Sequence, residues 1–265
     1  VIVDIQLNPA VEPWNRFREG VAAAEAAGFG TAWVFDHFAG DLLRGGDTML
    51  ECFSLLGALA TATTTIGLGS LVVNVANRPF GVMAAAAATV QTVSGGRLVL
   101  GLGAGAAPDT AWSAEHRRFG IALEPTIAAR RERLAAAITT LDELWADAPA
   151  AADQVYPRPR PRRPPVVLGV NSEPLAVLAG QRTDGVNVRS NHPGLDAILA
   201  AAIEGRVTSG RPLDGFDVSV WAEFDPGLAD PDHPARQRWA GLGVTRLVLV
   251  CLDPHDPDAV AGFFG

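Results

Sequence analysis

Lysine is missing altogether, so arginine supplies all 21 positive charges of the chain. With alanine so frequent, this is the composition of a GC-rich bacterial genome, a statement about origin rather than chemistry. Cysteine is scarce: Cys52 and Cys251 lie far apart with no motif around either. That excludes a disulfide framework and fits a reducing cytoplasm. No apolar stretch approaches the roughly 18 residues that a membrane span needs; VMAAAAATV at 82–90 reads as a short alanine-rich helix. Nothing near Val1 resembles a secretion signal. The formal net charge is −8, which speaks against a nucleic-acid partner, since that needs a basic face. HExxH, GxSxG, a Walker loop and Cys/His ligand spacings are all absent, so no metal site is expected.

What is present is a large core. The 265 residues are 48% hydrophobic and 19% charged, enough for one barrel-sized domain over residues 1–265. Strand and helix patterns alternate from end to end. Strands are expected at 1–7, 31–35, 65–75, 97–103, 164–170, 185–189, 217–224 and 245–252. Helices fall between them, among them 13–27, closed by Gly28, and 126–145 with an apolar stripe at Ile127, Leu134, Ile138, Leu141 and Leu144. Eight strand–helix units describe a (β/α)8 TIM barrel; a doubly wound open sheet is the competing arrangement. The segment PAAADQVYPRPRPRRPP, 149–165, has six prolines and reads as a solvated spacer on the bottom face.

In such a barrel, chemistry sits where strands end. The run TAWVF is apolar without alternation, as in a strand buried on both faces, and Asp36-His37 follow at its end. The pair fits a general acid/base, with imidazole titrating near neutrality beside a carboxylate; it equally fits a histidine capping a strand end. His192 follows the sixth strand and lines the same mouth in this reading, whereas His116, His233 and His255 have no comparable setting. GLGAGA at 101–106 matches G-x-G-x-x-G/A after a strand, but no helix follows promptly and no acid closes a second strand. Its glycines fit close approach of a flat ring or phosphate, or a tight turn without ligand. GVNSEP at 169–174 leads into a helix with Ser172 as expected N-cap, where free amides attract phosphate.

Together, AAEAAGFGTAWVFDHF, TIGLGSLVVNVANRPF, AAAAATVQTVSGGRLVLGLGAGAAPDTAWSAEHRRFGI and RPPVVLGVNSEPLAVLAGQRTDGVN resemble the bacterial luciferase-like superfamily of flavin- and deazaflavin-dependent oxidoreductases. The likeness fades after residue 190. The resemblance implies a TIM barrel with the cofactor ring over its C-terminal mouth. It implies coenzyme F420, a hydride exchanged between the deazaflavin C5 and a small organic substrate, His37 as general acid/base and Asp36 orienting it. It places cofactor contacts at Leu71, Val72, Asn74, Gly103, Ala104 and Gly105, with a cis Leu71–Val72 bond backing the ring. Phosphate contacts fall at Gly169, Val170, Asn171 and Ser172. An FMN-dependent monooxygenase is the alternative, and a non-catalytic paralogue a third. The family's sugar-phosphate dehydrogenases carry an acid where this chain has Ala106 and Ala107, and their phosphate-binding lysines have no counterpart here. Short loops suggest a mouth left open or completed by a second copy in a homodimer.

Overall fold

The computed structural model describes residues 1–46, 49–146 and 158–265. Eight parallel strands close into a barrel in sequence order: β1 (Ile2–Leu7), β2 (Thr31–Val34), β3 (Gly67–Asn74), β4 (Leu98–Gly103), β5 (Val166–Gly169), β6 (Gly185–Arg189), β7 (Asp217–Glu223) and β8 (Arg246–Cys251). Closure rests on β1 against β8, in register from Ile2↔Arg246 to Leu7↔Cys251. That pairing excludes the open sheet. The expected strands at 31–35, 65–75 and 164–170 overrun β2, β3 and β5 by one to three residues, because their apolar ends continue into loops.

Around the barrel run α1 (Trp14–Ala27), α2 (Cys52–Ala62), α3 (Phe80–Val93), a short α4 (Ala114–Arg118), α5 (Ile127–Trp145), α6 (Glu173–Arg182), α7 (Leu195–Thr208), α8 (Pro234–Gly241) and α9 (Pro257–Ala261). Helix α1 buries Phe17, Gly20, Val21 and Ala24 and stops at Gly28, whose φ of 97° lets its N–H reach the carbonyls of Ala24 and Glu25. The α5 stripe is only partly as expected: Leu134, Ile138 and Leu141 are buried, but Ile127 at the first turn is exposed.

The two-residue period of a strand separates two compartments. Along β1, Ile5 and Leu7 join the core under the helices, while Asp4 and Gln6 are fully buried on the other side. Asp4 accepts from Trp33 Nε1 at 2.9 Å and pairs with Arg246 at 2.8 Å. Gln6 donates to the Leu71 carbonyl at 2.9 Å and accepts from Trp221 Nε1 at 2.6 Å. A hydrogen-bonded chain thus crosses the lumen from β7 through β1 to β3.

The bottom of the barrel is tied by charge-assisted contacts. One guanidinium, that of Arg97, donates to the carbonyls of Ala60, Thr63, Ile66 and Ser94 and to Thr63 Oγ1, at 2.7–3.1 Å. It thereby closes the C-terminal ends of α2 and α3, which would otherwise leave unsatisfied carbonyls. Glu25 Oε1 gathers the backbone N–H groups of Thr64, Thr65 and Ile66 at 2.6–3.0 Å. Residues 149–157 of the proline-rich spacer lie outside the described residues. Its remainder is anchored, with Arg162 O accepting from Gln91 at 2.9 Å and Arg163 paired with Asp184 at 2.9 Å. Both cysteines are free and buried. No helix among the described residues is long and apolar enough to cross a membrane.

Candidate active site

Asp36 and His37 follow β2 at the barrel mouth, yet they serve different partners. Neighbours on an extended chain point to opposite sides, and here Asp36 is buried while His37 keeps 27% of its side chain exposed. Asp36 is held by Arg78 through two bonds of 2.9 and 2.8 Å, by Asn77 Nδ2 at 3.0 Å and by the Asn74 N–H at 3.0 Å. Arg78 also reaches Glu51 at 3.0 Å and lies 5.0 Å over the Phe53 ring. The expected orientation of His37 by Asp36 is therefore corrected: the Asp36 carboxylate is consumed in fastening the ends of β2 and β3 together.

The carboxylate that meets His37 is Glu115, on α4. His37 Nδ1 lies 2.7 Å from Glu115 Oε1, and Oε2 accepts the N–H groups of Phe38 at 2.6 Å and Ala39 at 3.1 Å. Burial acts to raise the Glu115 pKa, but the His37 bond and charge and these two amides outweigh it and hold the carboxyl below the usual glutamate value. An ionised Glu115 only accepts, so Nδ1 carries the hydrogen. Among the described residues no hydrogen bond engages Nε2, and the ring leans on Trp112 at 5.4 Å between centroids.

His116, expected to be incidental, is buried beside this pair. Its Nδ1 faces the Trp112 carbonyl at 3.1 Å, while Nε2 sits between the Asn74 side-chain NH2 at 2.8 Å and Asn77 Oδ1 at 3.0 Å. This pins α4, and hence Glu115, to the end of β3. The other histidines do local work: His192 and His233 accept the N–H groups of Gly194 and Ala235 at 3.0 and 3.2 Å, and His255 pairs with buried Glu12 at 2.7 Å.

The residues expected to touch a cofactor ring do converge. The Leu71–Val72 bond is cis, and the β3–β4 register shifts between Ser70 and Val73. Trp33, Leu71 and Val248 form a buried cluster against which Val72 and Trp221 pack, and Trp221 also packs against the cluster of Phe35, Leu43 and Val250. Trp221 is thus the floor of the mouth, with the Arg189 guanidinium 5.1 Å over its ring. Gly103 and Gly169 flank Val72. A Cβ on either would lie 2.5 or 2.6 Å from a Val72 methyl, so their bareness is already required by packing within the chain. Gly105 has a φ of 82°, and a Cβ there would meet Asn74 Oδ1 at 2.6 Å. Asn74 spends its side chain on His116 and on the Ala76 N–H, and Ala104 packs against the main core.

Of the expected phosphate donors, Val170 is corrected: its N–H donates to the Asn187 carbonyl at 2.9 Å. The amides of Asn171 and Ser172, leading into α6, have no partner among the described residues. Ser172 is the N-cap by position, but its side chain makes no cap hydrogen bond. No group of three or more potential metal ligands occurs among the described residues.

The architecture is that of a (β/α)8 barrel with its polar constellation at the C-terminal mouth. The sequence profile of the luciferase-like monooxygenase family matches residues 3–242; the chain belongs to that family. A 5,10-methylenetetrahydromethanopterin reductase of Archaeoglobus fulgidus is 28% identical over 236 residues, 86% of this chain and 64% of that protein. The chain thus spans a little under two thirds of that relative's length. An F420-dependent glucose-6-phosphate dehydrogenase of Microbacterium testaceum is 28% identical over 252 residues, 88% of this chain and 70% of that one. Among solved structures, an F420-dependent secondary alcohol dehydrogenase in complex with an F420-acetone adduct superposes with a TM-score of 0.77 at 18% identity, covering 100% of this chain and 98% of the other. A monooxygenase of Streptomyces bottropensis gives 0.76 at 17%, covering 100% and 96%. These two likenesses show the fold.

Proposed function

We propose that this chain is an F420-dependent oxidoreductase acting on a small organic substrate, with His37 as its general acid/base. The observation that carries the reading is His37 itself: a half-buried imidazole at the mouth, with Nδ1 tied to a carboxylate and Nε2 without a partner among the described residues. Proton exchange needs such an atom; trapping of oxygen on a reduced flavin does not. The names of the Archaeoglobus and Microbacterium relatives support a redox activity of this kind, the latter with F420.

The residues present fit such a coenzyme. Leu71, Val72 and Trp221 offer an apolar back wall and floor, and the amides of Asn171 and Ser172, without a partner among the described residues, stand before α6, where the positive end of the helix dipole favours phosphate. When bound, the deazaflavin would supply or accept the hydride. The chain supplies the rest. His37 Nε2 takes or returns the proton on the reacting heteroatom, and the Trp112 and Phe35 rings lie beside the imidazole at 5.4 and 6.5 Å between centroids. Asp36 and Arg78 hold the strand ends that carry this histidine.

The FMN-dependent monooxygenase is kept as a second reading, because the matched family profile bears that description. Fluorescence titration of the purified protein with F420 and with FMN tests the choice. Tighter binding of F420 is expected; tighter binding of FMN would overturn the assignment.

A further inference from the structure

Resting on the reading of His37 as acid/base, we infer that Glu115 is the positioning residue that fixes which nitrogen of His37 exchanges the proton. Asp36, next to it in sequence, is fully engaged by Arg78, Asn77 and the Asn74 amide. Glu115 arrives from 78 residues away and is, among the described residues, the carboxylate within hydrogen-bond reach of the ring. Its two oxygens are divided: Oε2 takes the Phe38 and Ala39 amides, and Oε1 faces His37 Nδ1. The Oε2 contacts lock the carboxylate in the loop directly after His37, so it cannot swing away from the ring. The hydrogen is held on Nδ1, and Nε2 is left as the exchanging atom. Among free neutral histidines the hydrogen resides more often on Nε2, so the tautomer here is one the protein must impose.

The division of oxygens makes Glu115→Gln a selective test. Glutamine has a single acceptor oxygen, and two backbone N–H groups compete for it at the Oε2 position. Its NH2 then falls where Oε1 stood, 2.7 Å from His37 Nδ1. An NH2 cannot accept, so Nδ1 must become the acceptor and the hydrogen must move to Nε2. A role confined to anchoring the loop would leave the tautomer as it was. A hydrogen-bonded carboxylate sets tautomer and orientation in the same manner in hydrolytic triads, where its amide substitution costs orders of magnitude in rate.

The experiment is long-range 1H–15N correlation spectroscopy of the full chain labelled with 15N-histidine, with His37→Gln identifying the His37 signals. In the wild type, the neutral His37 ring is expected to show a protonated Nδ1 and a bare Nε2; in Glu115→Gln the two nitrogen shifts exchange. A wild-type ring with its hydrogen on Nε2 overturns the assignment without recourse to any variant. So does a folded Glu115→Gln protein that keeps the hydrogen on Nδ1. The tautomer decides the role of Glu115 whatever the F420 titration gives, so this inference and the proposed function fail separately.

Discussion

Gly169→Ala adds one methyl group to the end of β5, and its cost can be worked out from Val72. The new Cβ would stand 2.6 Å from Val72 Cγ1, while Val72 Cγ2 already faces the Cα of Gly103, where a Cβ would come to 2.5 Å. A β-branched side chain has few χ1 wells, and each methyl of Val72 occupies one glycine's open side, so rotation offers no escape. Overpacking of this kind costs about 1–3 kcal/mol. For a barrel of this size the melting temperature should fall by about 2–4 °C per kcal/mol. Val72→Ala alone removes two methyl groups from a half-buried site and should cost about 1 kcal/mol. In the double variant the clash disappears, so Gly169→Ala on that background should be neutral or slightly stabilising, by about 0.5 kcal/mol through the unfolded chain. The coupling in the double-mutant cycle is then about 1–3 kcal/mol, read by urea unfolding or calorimetry. A Gly169→Ala protein as stable as the wild type would refute the packing account. So would a double variant no better than the sum of its parts. Either result would return the glycine to the service of a ligand.

Three further outcomes are expected. His37→Ala should lower turnover by about 10²–10⁴ while coenzyme affinity stays within a few-fold; an unchanged kcat would remove His37 from the proton path. Asp36→Ala leaves the largely buried Arg78 cation without its main partner and should cost about 3–5 kcal/mol of stability in urea unfolding, whereas a small loss would mean the pair is solvated. Glu25, whose burial penalty is outweighed by the amides of Thr65, Ile66 and Thr64, is held down at about 2. Since its folded pKa is depressed, its stabilisation is full above the ordinary value of 4.5 and drains away as pH falls towards about 2. With the group partly solvated, Glu25→Gln should cost about 1 kcal/mol at neutral pH, and the two unfolding curves should converge near the bottom of that window.

The barrel was legible because strand-length runs rich in apolar residues alternate with helical stretches, some of which are bounded by a proline or a glycine, as at Pro13, Gly28 and Pro79; TAWV and RLVLVC need no context to read as buried strands. The mouth was legible as a place, since strand ends can be located. Its partnerships were not. Asp36 and His37 looked like a working pair because they are adjacent, yet the alternation of an extended chain sends adjacent side chains apart, and that rule alone could have warned against it. Glu115 was hidden because AEHRR reads as a short stretch of charged surface, and only the folded loop carries it across 78 positions. The glycines of β4 and β5 are ambiguous in another way. A missing Cβ signals that something comes close, but not whether the visitor is a cofactor or, as at Gly103 and Gly169, a valine of the same chain.

The Arg97 guanidinium, with its five protein acceptors at the foot of the barrel, bears on how such a chain can diversify. Two helices and a strand are riveted at the end opposite the chemistry, through contacts indifferent to what the mouth contains. Loops above the strands can therefore be exchanged, lengthened or re-lettered while the ring of strands keeps its registry. Selection can act on reactivity at one pole of the molecule with little penalty at the other. Substitutions gathered at random should divide along the same axis, those near Arg97 showing as lost expression and those near His37 as altered turnover in a protein that still folds.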